Sequence, residues 1–141
     1  MSDETRDAVA KIDELYKKLD ALADQLKQEL VAKKKSGQLS EEQLKKGLET
    51  LLAMRNKINT LLYEKATIQM DQIEVNLDKF EGLSEKIAEA TEKIKKTQEI
   101  VQAVVAGLVA VSKIVEAVFT PTPQKIGEAA GSVSDFVESI C

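Results

Sequence analysis

Histidine and tryptophan are absent from this chain of 141 residues, and cysteine occurs once, as Cys141. Without histidine there is no imidazole acid or base, no Ser-His-Asp triad and no histidine-ligated metal or haem site. A single thiol excludes a disulfide framework, a Cys-x-x-Cys redox pair and a thiolate cluster. Two prolines and six glycines are too few for a turn-rich β fold, and they leave room for long helices. The aromatics are Tyr16, Tyr63, Phe80, Phe119 and Phe136, scattered along the chain. With a net charge of −4, that leaves neither the basic face nor the stacking platform that nucleic acid requires. A Sec-type leader needs a basic start and then an apolar run, whereas Met1 to Asp7 are polar and acidic. The expected location is the cytoplasm, or outside it by a route that uses no Sec signal. A prenylation box needs its cysteine four residues from the end. That reading fails for Cys141, which is expected to be a free thiol in a reducing compartment, with a disulfide across a dimer axis or a residue added for labelling as the alternatives.

Hydrophobic residues make up 43% of the chain, enough for a core and too many for disorder. Charge is distributed unevenly. Residues 1–99 hold 20 acids and 18 bases, whereas residues 100–141 hold 4 acids and 2 bases. A single domain is expected, with a charged, coiled-coil-like body over 1–99 and an apolar helical hairpin over 100–141.

Ile12, Leu15, Leu19, Leu22 and Leu26 follow the 3-4-3-4 spacing of a helix that packs lengthwise on another. The pairs Asp7/Lys11, Asp13/Lys17, Glu14/Lys18 and Glu29/Lys33 place acid before base at i,i+4, which supports the helix. Asp3 and Glu4 suit its positive end and Lys33, Lys34 and Lys35 its negative end, so the lysine run needs no phosphate partner. Ser36-Gly37 ends it, and Ser40-Glu41-Glu42-Gln43 is a capping box for a second helix. The short link makes the two antiparallel neighbours. Leu44, Leu48, Leu51, Ile58 and Leu62 form the first stripe of that second helix, interrupted by Arg55 and Lys65. From Ala66 the stripe shifts to Met70, Ile73, Leu77 and Phe80, and the helix is expected to reach about Lys79. Met54 and Met70 read as core filling.

A turn is expected near Gly82, with Ser84 capping a third helix. A heptad of Phe80, Ile87, Ile94, Val101, Leu108 and Val115 runs on from there, with Ser84, Thr91, Gln98, Val105, Ser112 and Phe119 at the alternate seam positions. Thr120-Pro121-Thr122-Pro123 stops the helix. Thr122 then caps a short fourth helix with Pro123 at its first position. The fold class is therefore all-α: an elongated antiparallel bundle of three long helices and a short C-terminal one.

Ile100 to Ser112 carries no charge and spans ~20 Å as a helix, short of a ~30 Å hydrocarbon core. Extension to Phe119 reaches that length but includes Lys113 and Glu116, placed to pair at i,i+3. Ala103/Gly107, Ala106/Ala110 and Gly127/Gly131 are small residues spaced to let helix backbones approach closely. The segment can be the buried centre of a bundle, a hairpin that enters lipid, or a surface for a protein partner. Glu85, Glu89, Glu92 and Glu99 share a helix; the i,i+4 pairs Glu89/Lys93 and Glu92/Lys96 make the row a solvated face rather than a metal or glycosidase pair.

No enzymatic activity, cofactor, metal or small-molecule substrate is expected. The leading expectation is a helical interaction protein that self-associates or binds a helical partner through the hairpin. Ala103, Gly107, Leu108, Val111, Val115, Phe119, Val133, Phe136 and Val137 are its expected contact residues. The alternative is a membrane-active, pore-forming or membrane-associating protein whose hairpin leaves the bundle for lipid, with the Pro121/Pro123 turn as its tip.

Overall fold

The computed structural model describes residues 3–140, with side chains from Arg6 onward; Cys141 lies outside the described residues. Every regular element among them is helical. The first helix, α1 (Asp3–Lys35), ends as its sequence requires. Gly37 takes φ +80, the left-handed region. Its N–H donates to the carbonyl of Lys34 at 3.1 Å, and that of Gln38 to the carbonyl of Lys33 at 2.9 Å. These two bonds satisfy carbonyls that a helix end leaves open. The next helix, α2 (Glu41–Tyr63), starts with the expected reciprocal cap: Gln43 N–H donates to Ser40 Oγ at 3.1 Å, and Ser40 N–H to Gln43 Oε1 at 2.9 Å.

Charges and close packing fix α1 against α2 antiparallel. Lys34 pairs with Glu41 at 3.2 Å, Arg55 with Asp24 at 2.6 Å and Asp20 at 3.3 Å, and Lys65 with Asp13 at 2.8 Å. Low residue numbers on one helix thus meet high ones on the other. Arg55 and Lys65, which interrupt the apolar stripe, are the groups that bridge to α1. At the tip Gly47 admits Leu30, whose methyl carbons lie 2.8 and 2.9 Å from where a β carbon would stand.

The second and third expected helices are each divided. After Tyr63 come a single 3-10 turn (Lys65–Thr67) and the extended, buried Ile68. Next are the short α3 (Met70–Val75), a kink at Asn76, and α4 (Leu77–Lys93). A second 3-10 turn (Ile94–Lys96) and the extended Thr97 separate α4 from α5 (Ile100–Phe119). Neither interruption contains glycine or proline. The expected turn at Gly82 does not occur, because residue 82 lies inside α4; Ser84 caps nothing and is fully buried there. The break at residues 94–99 also resets the heptad. Phe80, Ile87 and Ile94 stay in the core, while Val101 and Leu108 are only partly buried and Val105 faces out. The last helix, α6 (Pro123–Ile140), starts as expected, with Lys125 N–H donating to Thr122 Oγ1 at 3.2 Å.

Five helices close into a ring: α1 packs on α2, α2 on α5, α5 on α6, α6 on α4, and α4 on α1. The short α3 covers α1. Lys11 bridges α1 to α4 through Glu81. Inside lie Leu15, Leu19, Leu22, Met54, Ile58, Phe80 and Phe136, all at 1% exposure or less.

A helical glycine costs roughly 0.5–1 kcal/mol relative to alanine. Nothing lies within 4 Å of the β position at Gly82. Gly82→Ala should therefore raise stability by about that amount in urea titration. Gly37→Ala, forced to a left-handed φ, should lower it by about 1 kcal/mol. A destabilising Gly82→Ala would mean that the chain turns there after all.

Candidate functional site

The C-terminal hairpin is built from the least charged part of the chain, and its inner face is committed to the bundle. Ala103, Val104, Ala110, Val111, Ile114 and Val118 of α5 are at 0–1% exposure, as are Ala129, Val133 and Phe136 of α6. Gly107 is a point of close approach on α5. A β carbon there would stand 3.1 Å from Met54 Cε, 3.4 Å from a Leu26 methyl and 3.6 Å from Phe136 Cε1. Three helices thus meet α5 at its glycine, and any side chain would push one of them away.

Of the nine expected contact residues, Ala103, Gly107, Val111, Val115, Val133 and Phe136 are buried in this core. Leu108, Phe119 and Val137 are half-buried and pack against it. The structure brings the nine together on one hairpin, but six of them are covered by the protein's own helices. What the hairpin turns outward is a different set. On α5 it is Val105 (43% exposed) and Val109 (50% exposed), flanked by Val101 and Leu108. On α6 it is Gly127, Ala130, Gly131 and Ser134, all exposed.

These outward residues were hidden in the sequence by the heptad assumed to run through Thr97. Once a new helix starts at Ile100, the core face becomes 103/107/110/111/114/118; of the former seam Val115 stays buried, Val101, Leu108 and Phe119 move to the core's edge, and Val105 turns outward. The same holds for α2. Leu48 and Leu62, placed in the expected core stripe, are 38% and 46% exposed, and Leu52 is 62% exposed. The face that α2 buries is Gly47, Leu51, Met54, Ile58 and Leu61.

Between α4 and α6 runs an apolar groove of about 420 Å³. Leu83, Ile126 and Val133 form its buried floor, Gly82, Gly127 and Ala130 its walls, and Lys79 and Lys86 one rim. Lys113 and Glu116 do pair, at 3.8 Å, and Lys125 joins them across the α5–α6 turn, 3.7 Å from Glu116. Both pairs are partly exposed, so they carry little desolvation cost and tie the two helices together at the turn end of the hairpin.

The acidic row of α4 is a solvated face. Glu85, Glu89 and Glu92 are exposed along it, and Glu99, which the break at 94–99 removes from that helix, is exposed as well. Lys93 donates to Glu89 at 2.9 Å, and that bond holds the Glu89 carboxyl below its ordinary pKa, helped by the charges of Lys93 and Lys86. No group of three or more acidic or thiol side chains placed to hold a metal occurs among the described residues. Comparison with protein-family models, curated proteins and solved structures finds no match to this chain.

Gly107→Asp forces an unpaired carboxylate against Met54, Leu26 and Phe136, at a cost of several kcal/mol. The protein should then lose its cooperative thermal transition by circular dichroism. Val105→Asp, at a half-exposed site on the same helix, should melt within a few degrees of the parent. Equal damage from both would mean that the outer face of α5 is covered too.

Proposed function

We propose that this chain is a non-enzymatic helical interaction protein that associates with a second helix, in its own copy or in a partner, through the outer faces of the hairpin α5–α6. One observation carries the reading. A helix without charge from Ile100 to Ser112 leaves Val105 and Val109 half-exposed. On the neighbouring helix, the exposed positions between Gly127 and Ser134 are those two with Ala130 and Gly131, none larger than serine. Removing apolar surface from water favours a cover by ~25 cal/mol per Å². Small residues at 3–4 spacing let a second helix supply that cover at short range.

A second reading has its own support. Among the described residues α5 is the one helix long and apolar enough to cross a bilayer, and half of its apolar window is buried. The extended Thr97 stands where the hairpin joins the rest of the chain, which supplies a hinge for its departure. That departure would expose Leu26 and Met54, which argues for association between folded molecules in the absence of lipid.

Sedimentation velocity on the intact chain, from micromolar to submillimolar protein, separates the readings when paired with liposome co-flotation. Association expects a sedimentation coefficient that rises with concentration and no flotation. Flotation with dye leakage would transfer the hairpin to lipid and displace the first reading.

A further inference from the structure

Two charges border the groove between α4 and α6, and both are positive. Lys79 and Lys86 stand one heptad apart, ~10 Å along α4, and no acid belongs to the lining. Neither ammonium lies in a salt bridge among the described residues, and Lys86 acts on Glu89 only at longer range. A lysine on an apolar rim keeps its ammonium in water while its methylene stem extends the wall.

The trough owes its depth to missing side chains. A β carbon at Gly82 or Gly127 would meet nothing within 4 Å, and Ala130 is exposed as well. Glycine inside a helix lowers stability relative to alanine, and here the chain's own packing returns nothing for it. Larger residues at these positions would fill the space above Leu83, Ile126 and Val133. The volume of about 420 Å³ falls among small-ligand sites, which run from ~300 to ~1,000 Å³. From Pro123 to Ser134 the groove follows α6 for ~16 Å, the reach of an extended hydrocarbon tail of medium length. A docked helix, ~10 Å across with its side chains, would extend past the rim to Glu85 and Glu89, exposed on α4. Those carboxylates repel the acids that the two lysines would attract. A single tail stays inside the trough.

We infer that the α4–α6 groove binds a single-chain amphiphile with an anionic headgroup, a free medium-chain fatty acid, its tail over Leu83, Ile126 and Val133 and its carboxylate on Lys79 and Lys86. The site is complete within one chain, so it stands whether or not the chain associates.

Isothermal titration calorimetry with dodecanoate, kept below the concentration at which it forms micelles, tests the site. The intact chain should bind it saturably. Lys79→Glu/Lys86→Glu should weaken dodecanoate at least about tenfold and strengthen dodecyltrimethylammonium, because the rim changes sign while the trough is intact. Gly127→Leu/Ala130→Leu should weaken both amphiphiles, since the new side chains occupy the trough. All four positions are exposed, and circular dichroism checks that each variant folds. An intact chain that does not bind dodecanoate saturably, or binding that neither pair of substitutions alters, would overturn the site. So would lysine-dependent affinity for a synthetic helical peptide of leucines and glutamates in a chain that takes up no dodecanoate, which would make the occupant a helix.

Discussion

Gly107 is the point at which α1, α2 and α6 all reach α5, through Leu26, Met54 and Phe136. A helix that is apolar around most of its circumference needs neighbours on several sides, and they can come close only where its own surface is low. The glycine provides that low point. Met54, unbranched and flexible, fills the space that the missing side chain leaves. The order of the ring follows: α5 lies between α2 and α6, and α4 closes the circle by joining α6 to α1. Burial of α5 also accounts for the interruption at 94–99. A continuous helix from Leu77 to Phe119 would run ~65 Å. It would carry α5 past the core that α1 and α2 provide. Folding back at Thr97 returns it to them.

Electrostatics acts on arrangement more than on total stability. Each partly exposed pair, such as Lys65 with Asp13 or Arg55 with Asp24, is worth under ~1 kcal/mol. Together they fix which way α2 lies along α1 and at what register, since a shift of one turn would separate all of them at once. Several acids and bases placed for pairing within α1 work instead between helices. Asp13 meets Lys65, and Lys11 reaches Glu81 as well as Glu14. The hairpin has too few charges for such a code. Its placement depends on shape: glycine and alanine against large side chains.

The same economy shapes what the hairpin can do outside the bundle. Its inner face is occupied, so an encounter between folded molecules involves Val105 and Val109 on α5, or the shallow face of α6 beside α4. Lipid would instead require the inner face, and with it the opening of the core around Gly107. Association and insertion thus draw on opposite sides of one hairpin and differ in whether the ring stays closed.

Much of this was readable in the residues themselves. The 3-4 spacing over Ile12 to Leu26, the glycine stop at Gly37, the reciprocal cap of Ser40 and Gln43, and the Thr122-Pro123 start all appear where local chemistry demands them. Each depends on neighbours within a few positions, so the chain alone decides it. The all-α class follows from the same local rules. The interruptions at 64–69 and 94–99 carry no glycine or proline, because what ends those helices is the advantage of folding back onto a distant core. Their position set the face that α5 turns inward, and so removed Val101, Val105 and Leu108 from the seam while burying Ala103, Gly107 and Val111. Lys79 and Lys86 are unremarkable charges in sequence. Only the packing of α4 beside α6 makes them the rim of an apolar groove with Ile126 and Val133, because proximity across some forty residues is a property of the tertiary structure and of no local pattern.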